Sequence, residues 1–270
     1  MVGIASISAR FTGQAGLRVT FTYSPNPKFR ELESNVRNQV TFFVAALAIS
    51  ALAGAPPKEQ YVGPDLKDGK VLVRSVTILP INTMVKLWGT GLQGELEPGE
   101  AKQLKASLSD YAIKILTVKG CHVPEDPFTV VASDNAPAIA SALTIVQAQY
   151  KSLESQLFHK PKLVREGRYG MGEIVAKLNP GHTTDTFLFM DAFGALTTGS
   201  EKAQRVVKGP ANTAKEALYL NLTLVDASTG SVLYFAKTTT GGNFIKDPGH
   251  VEHSLEDSLR DFTCASHTTE

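Results

Sequence analysis

The sequence predicts an α/β domain: a mixed sheet of about four to five strands with a C-terminal antiparallel hairpin, and three main helices packed on it. Three observations carry this prediction. First, Ala136 to Phe158 repeats apolar residues at spacings of four and three, at Ile139, Leu143, Val146, Tyr150, Leu153 and Leu157, which is the stripe of a buried helix face. Second, Ala217–Val225 and Ser231–Thr238 are β-rich runs on either side of Asp226-Ala-Ser-Thr-Gly230, the signature of a hairpin. Third, the runs follow the order strand, helix, helix, strand, hairpin, helix, which suits helices layered on a mixed sheet.

In chain order, residues 1–35 include Phe21-Thr-Tyr-Ser-Pro-Asn-Pro-Lys-Phe29, rich in turn formers and without a clear period. They are expected to be a non-native upstream extension or disordered, with Val36 as an alternative start. Arg37 then precedes Val40–Ala55, a run without charge that contains Ala51-Leu-Ala53. A basic residue, a short apolar stretch and a small-x-small site are the parts of a secretory signal, here spanning 36–53 with cleavage near Ala53. The run is short for a membrane span of about 20 apolar residues. An uncleaved anchor and a buried core helix stay open as alternatives. No cysteine directly follows the run to carry a lipid.

Residues 54–70 read as a linker, rich in Pro, Gly and Asp. Val71–Leu79 is β-branched and closed by Pro80, hence a strand. Ile81–Gly99 carries four glycines besides Trp88 and Pro98 and reads as a long loop. Glu100–Lys119 places Leu104, Leu108, Tyr111, Ile115 and Val118 on one helix face, and Gly120 suits its end. A short strand within His122–Val131, a loop over Lys160–Gly170, a short helix over Met171–Leu178 and a buried strand over Asp185–Phe193 follow. Pro248 opens the last helix, with Val251, Leu255, Leu259 and Phe262 on one side. The α/β domain thus covers 71–262, and 263–270 is a tail.

Composition excludes some functions. With 27 basic and 26 acidic residues the net charge is +1, so no field draws the chain to nucleic acid or an anionic surface. The two cysteines, Cys121 and Cys264, form no CxxC pair, which excludes a cysteine zinc site. The two readings left are a disulfide in an oxidising compartment, or one buried thiol and one exposed in the tail.

Several motifs touch on chemistry. His250 and His253 lie at i, i+3 beside Asp247 and Glu252, and form a weak candidate for metal binding without a third fixed ligand. Gly167-Arg-Tyr-Gly-Met-Gly172 departs from the phosphate-binding GxGxxG pattern. Asp226 is expected to bond the amides of its own turn. Asp185 and Asp191 share a strand face but are expected to be rim residues at the two strand ends. Asn221-Leu-Thr223 is a glycosylation sequon on a strand. No catalytic residue and no cofactor are assigned.

Val76-Thr-Ile-Leu-Pro80, Asp185-Thr-Phe-Leu-Phe189 and Leu222-Thr-Leu-Val-Asp-Ala-Ser-Thr-Gly-Ser-Val-Leu-Tyr234 together resemble bacterial envelope lipoproteins: the curli secretion lipoprotein, the penicillin-binding-protein activators and the N-terminal domain of the Tol translocation protein. The resemblance spans Val71 to Phe262, departs from the family in lacking the lipobox cysteine, and transfers no catalytic residue. It implies a periplasmic or secreted, non-enzymatic accessory protein that binds an envelope protein or peptidoglycan-associated machinery, with no nucleic-acid partner, crossing the membrane only by its signal. A periplasmic hydrolase or metal-dependent enzyme and a small-ligand module are the alternatives. The Trp88 and Glu201–Lys215 loops are the expected contact regions, with Trp88, Leu92 and Arg205 as candidates.

Overall fold

The computed structural model describes residues 59–88, 94–124, 136–198 and 216–265, together with two short strands near the start of the chain. The chain divides into two units, Met1–Gly54 and Ala55–Glu270. In the first, β1 (Ser6–Arg10) and β2 (Arg18–Thr22) pair antiparallel, with Ser6 opposite Thr22. Arg-Val-Thr-Phe-Thr in β2 alternates polar and apolar residues, the period of a strand. The apolar run up to Ala55, with its expected cleavage near Ala53, lies outside the described residues. Among the described residues no helix is long and apolar enough to cross a membrane.

The second unit is a mixed α/β layer structure. Its strands are β3 (Glu59–Val62), β4 (Val76–Ile78), β5 (Asn82–Trp88), β6 (Glu95–Leu96), β7 (Thr186–Thr197), β8 (Ala217–Asp226) and β9 (Val232–Gly241). Its helices are α1 (Pro64–Lys67), α2 (Pro98–Val118), α3 (Ala136–His159) and α4 (Gly249–Ser258). The sheet order is β3-β9-β8-β7-β5-β6, and β4 also pairs with β7. The β8–β9 hairpin is antiparallel, as its sequence requires, while β4 and β5 run parallel to β7.

The sheet has seven strands rather than four to five, because three lie in stretches read as linker or loop. The expected linker holds β3 and α1. The expected loop Ile81–Gly99 holds β5 and β6, so Trp88 ends a strand and does not ride a loop. The strand expected over Val71–Leu79 is ordered as a ladder only at Val76–Ile78. Pro80 has no N–H to give, so pairing stops there and resumes at Asn82 along the same edge of β7. The expected loop Lys160–Gly170 contains a 3-10 helix at Pro161–Glu166, and Met171–Leu178 contains another at Gly172–Leu178. The three main helices fall where the apolar stripes put them, except that Val118, expected on the inward face of α2, is exposed in its last turn.

Two cores flank the sheet. Leu218, Leu220, Leu222 and Leu224 of β8 all face α2 and α4, where they meet Leu104, Leu108, Val251 and Leu255. On the other side Phe187, Phe189 and Phe235 meet Val146, Tyr150, Leu153 and Leu157 of α3. This is what strand period two and helix period 3.6 produce when both sheet faces are covered. Gly194 is required in β7: a Cβ there would lie 2.2 Å from the Phe244 ring, which occupies the space instead.

Of the expected tail, Cys264 and Ala265 are tied to the domain. Cys264 forms a disulfide with Cys121, so neither is a free thiol, and the Ala265 N–H donates to the Val73 carbonyl at 2.8 Å. The bridge joins the end of α2 to the segment after α4, across a sequence separation of 143.

Candidate functional site

A polar row crosses the α3 side of the sheet. Asn82 of β5 stands opposite Asp191 of β7, Asp191 opposite Asn221 of β8, Asn221 opposite Lys237 of β9, and Lys237 opposite Glu59 of β3. Directly opposed residues in a sheet share a face, so five polar side chains line up under one helix. Tyr150, Glu154 and Phe158 of α3, one turn of helix apart, lie along this row.

The row is bonded in pairs. Asn82 Nδ2 donates to Asp191 Oδ1 at 2.8 Å, and Asn221 Nδ2 donates to Glu154 Oε1 at 2.9 Å. Lys237 Nζ lies 3.0 Å from Glu59 Oε2, which also accepts from the Tyr61 hydroxyl at 2.6 Å. The Lys237 ammonium sits 5.2 Å from the Phe158 ring centre. The Tyr150 hydroxyl pairs with Thr223 Oγ1 at 2.9 Å, and its ring stacks on Phe189 at 4.2 Å.

Burial and like charge perturb the two carboxyls. Burial, then the charge of Asp191, raises Glu154 to about 7, against the bond from Asn221 and the Lys151 charge. Burial also raises Asp191, opposed by bonds from Asn82 and Tyr150 and by Lys151. Burial, then the two acids, holds the Tyr150 phenol well above its ordinary range. Asp191 Oδ2 is a buried atom. Asp191 is therefore not a rim residue as expected: β7 runs on to Thr197, which leaves it in mid-strand. The alternation of the sequence shows its face but not that α3 would cover it.

The other singled-out residues separate. His250 Nε2 lies 3.6 Å from Asp247 Oδ2, whereas His253 Nε2 lies 3.2 Å from Asp257 Oδ2, so the two imidazoles serve different carboxylates. The His250 ring also lies against Gly242, where a Cβ would come within 2.7 Å of it. No group of three or more metal-ligating side chains converges among the described residues. Trp88 lies over Gly94, whose added Cβ would come within 3.1 Å of the ring. Leu92 and Arg205 lie outside the described residues.

Asp185 does sit at a strand end. Its Oδ2 accepts from the Arg74 and Ser75 amides at 2.8 and 2.9 Å, tying the start of β7 to the chain before β4. Asp226 Oδ1 accepts from the Ser228 and Thr229 amides at 2.9 and 2.7 Å, the turn geometry its sequence predicts. The glycine-rich segment at Gly167–Gly172 is laced to the hairpin turn, with the Met171 amide donating to the Gly230 carbonyl at 2.8 Å. The sequon Asn221 is engaged with Glu154 in the middle of β8.

The cavities lie elsewhere. An open groove of about 630 Å³ is lined by Gln60, Val62, Leu66, Leu72, Arg165 and Cys264 among others. A smaller one of about 300 Å³ continues past Glu59, Tyr61 and Arg260 and shares Gln60, Arg165 and Asp261 with the first. Both follow β3, an outermost strand of the sheet. The Gly63 amide donates to the Leu233 carbonyl at 2.8 Å, which fixes the alternation. Glu59, Tyr61 and Gly63 turn their backbone groups toward β9, and Gln60 and Val62 turn theirs outward to the groove. Arg165 reaches the Gln60 carbonyl at 3.4 Å from above the Tyr61 ring. The Gln60 side chain is pinned on both ends, donating to the Asp257 carbonyl and accepting from the Asp261 amide at 3.1 Å. Sequence reading missed this edge because it takes Glu59–Val62 for linker.

No protein-family profile matches the chain, and no curated protein matches it. Among solved structures it is similar to the PelC dodecamer from Paraburkholderia phytofirmans, crystallised in space group P6, at 14% identity over 78% of this chain and 99% of that chain, with a TM-score of 0.35. A single-residue variant of the same dodecamer in space group C2 gives 13% identity over the same shares, again with a TM-score of 0.35. A likeness at this level carries no argument about activity, assembly or place in the cell.

Proposed function

We propose that the protein is an exported, non-enzymatic accessory of the cell envelope, periplasmic or secreted, that holds an extended segment of an envelope partner against β3. The observation that carries this reading is the outward-facing backbone of Gln60 and Val62 on the floor of the 630 Å³ groove. Outward N–H and C=O groups of an edge strand are a template for one more strand, which here would take the Gln60 carbonyl over from Arg165, and a groove beside it accepts alternate side chains of the added segment. The Cys121–Cys264 bridge supports export, since structural disulfides persist in oxidising compartments. Glu154 and Asp191 lie under α3 and line neither cavity, and Glu59 of the smaller cavity is already engaged by Tyr61 and Lys237, which favours binding over hydrolysis.

The test is capture from the envelope fraction of the source cells with wild-type protein and with Val62→Pro. Proline removes the outward N–H of this edge residue without taking a donor from the β9 ladder, and circular dichroism and urea unfolding check that the fold survives the loss of the half-buried valine side chain. Retained folding with partner capture reduced at least ~10-fold is expected. Equal capture would overturn the β3 reading. Export is checked separately by fractionation and N-terminal sequencing of the mature chain, expected to start just after Ala53. A chain found only in the cytoplasm would overturn it.

A further inference from the structure

Arg165 stands where a strand added to β3 would lie. It comes near the end of the 3-10 helix Pro161–Glu166, which is anchored by the buried Val164 and closed by Gly167 in the left-handed region at φ 65°. Its guanidinium lies 5.1 Å from the centre of the Tyr61 ring and gives one N–H to the Gln60 carbonyl at 3.4 Å. That carbonyl points away from β9, so the guanidinium stands outward of the strand on its α3 side. A bond of this length is weak, and it uses one of the five N–H groups that a guanidinium carries. These are the contacts of the Arg165 side chain among the described residues, and neither is with a carboxylate.

Carboxylates beside Arg165 and along the cavities are engaged by other cations. Glu59 is paired with Lys237 at 3.0 Å, Glu166 with Arg168 at 3.0 Å, and Asp257 with Arg260 at 2.8 Å. Asp261 lines both cavities from the α4 side, where its amide holds the Gln60 side chain at 3.1 Å. The larger groove is thus lined by Lys67 and Arg165 against Asp261, an excess of positive charge. We propose that the segment added to β3 carries a carboxylate side chain that binds Arg165, so that the protein selects acidic strands. The inference rests on the strand-addition reading above. An N–H of the added strand takes the Gln60 carbonyl, and the guanidinium released from it turns to the carboxylate in the two-pronged geometry that suits both groups.

The alternation of β3 says where on the added strand the carboxylate belongs. Tyr61 packs into the α3-side core, whereas Val62 packs into the opposite core and Gln60 reaches the Asp257 carbonyl of α4. Directly opposed residues of a ladder share a face. The residue added opposite Tyr61 therefore lies on the face that Arg165 covers. Its neighbour opposite Val62 lies on the other face, against the apolar wall of Leu66, Val71 and Leu72. Its other neighbour, opposite Gln60, meets Asp261, which repels a second acid there. The expected segment is a single acidic residue with an apolar residue on one side and an uncharged or basic one on the other.

The experiment is selection from a random library of peptides about ten residues long by the oxidised protein, in parallel with Arg165→Gln and Val62→Pro. Arg165 is exposed, so its replacement leaves the fold in place, which circular dichroism checks. Peptides retained by the wild type are expected to share an acidic residue beside an apolar one, and Val62→Pro is expected to lose them. One such peptide is then made with its carboxylate replaced by an amide. Binding to the wild type is expected to weaken by on the order of tenfold, and binding to Arg165→Gln by less than about twofold. Retained peptides without an acidic preference, or an amide peptide that weakens equally on both proteins, would overturn the carboxylate assignment and leave strand addition standing. Acidic peptides held equally by Val62→Pro would overturn strand addition and this inference with it. A wild type that retains no peptide overturns both.

Discussion

The Cys121–Cys264 bridge gives the stability experiment with the most direct arithmetic. Replacing either cysteine with serine frees a closed loop whose ends are 143 residues apart. In the chain-entropy account such a loop is worth about 5 kcal/mol at 25 °C, with typical measured values of 2–4 kcal/mol. A value below the chain-entropy figure is expected here, because the C-terminal segment has other ties. Lys119 Nζ donates to the Phe262 carbonyl at 2.9 Å and the Ala265 amide to the Val73 carbonyl at 2.8 Å. These local bonds survive the substitution and hold the end of the chain in place. A loss of about 3 kcal/mol, at a urea slope of about 2 kcal/mol/M, lowers the unfolding midpoint by about 1.5 M. The assay is urea unfolding of oxidised protein, Cys121→Ser, Cys264→Ser, and wild type with reductant. All three perturbed forms are expected to coincide, and reductant to leave the variants unchanged. Midpoints within ~0.2 M of the oxidised wild type, or two titratable thiols in the folded oxidised protein, would refute the reasoning.

Two further substitutions test the fold locally. Asp226→Ala removes the acceptor of four hydrogen bonds from Ser228 and Thr229 and is expected to cost about 2 kcal/mol by urea unfolding. Burial tends to raise the Asp226 carboxyl, but those bonds prevail and lower it. Its contribution is therefore present above the ordinary carboxylate range and lost as pH falls through the depressed value, and the variant loses that part of the acid dependence. Gly194→Ala drives a methyl into the buried Phe244 ring and is expected to cost about 1–3 kcal/mol, read as a lower thermal midpoint. An unchanged midpoint would mean that Phe244 has room to move.

Local pattern and tertiary context divide the information unevenly. The stripe Ile139–Leu157 and the alternation Leu218–Leu224 each have a strong intrinsic period, and each appears as a helix or strand with the expected face inward. The Asp226 turn is equally local, since its partners are two and three residues away. By contrast, β3, β5 and β6 are short or mixed in pattern, and they are strands only because a neighbour offers a ladder. β5 reads Asn-Thr-Met-Val-Lys-Leu-Trp and takes its order from β7, more than a hundred residues away. The polar row follows the same rule. Asn82, Asp191, Asn221, Lys237 and Glu59 come from five separate segments, and no spacing in the sequence relates them.

By itself, then, the sequence determined the α/β class, the three long helices, the hairpin with its Asp226 turn, and the inward faces, because each depends on residues close together in the chain. The tertiary structure alone decided three things. It joined Cys121 to Cys264, it placed β3 outermost in the sheet beside a groove, and it placed Glu154 over the polar row. Each is a meeting of distant segments, and what brings such segments together is the packing of the whole sheet between its helices, which no local period encodes.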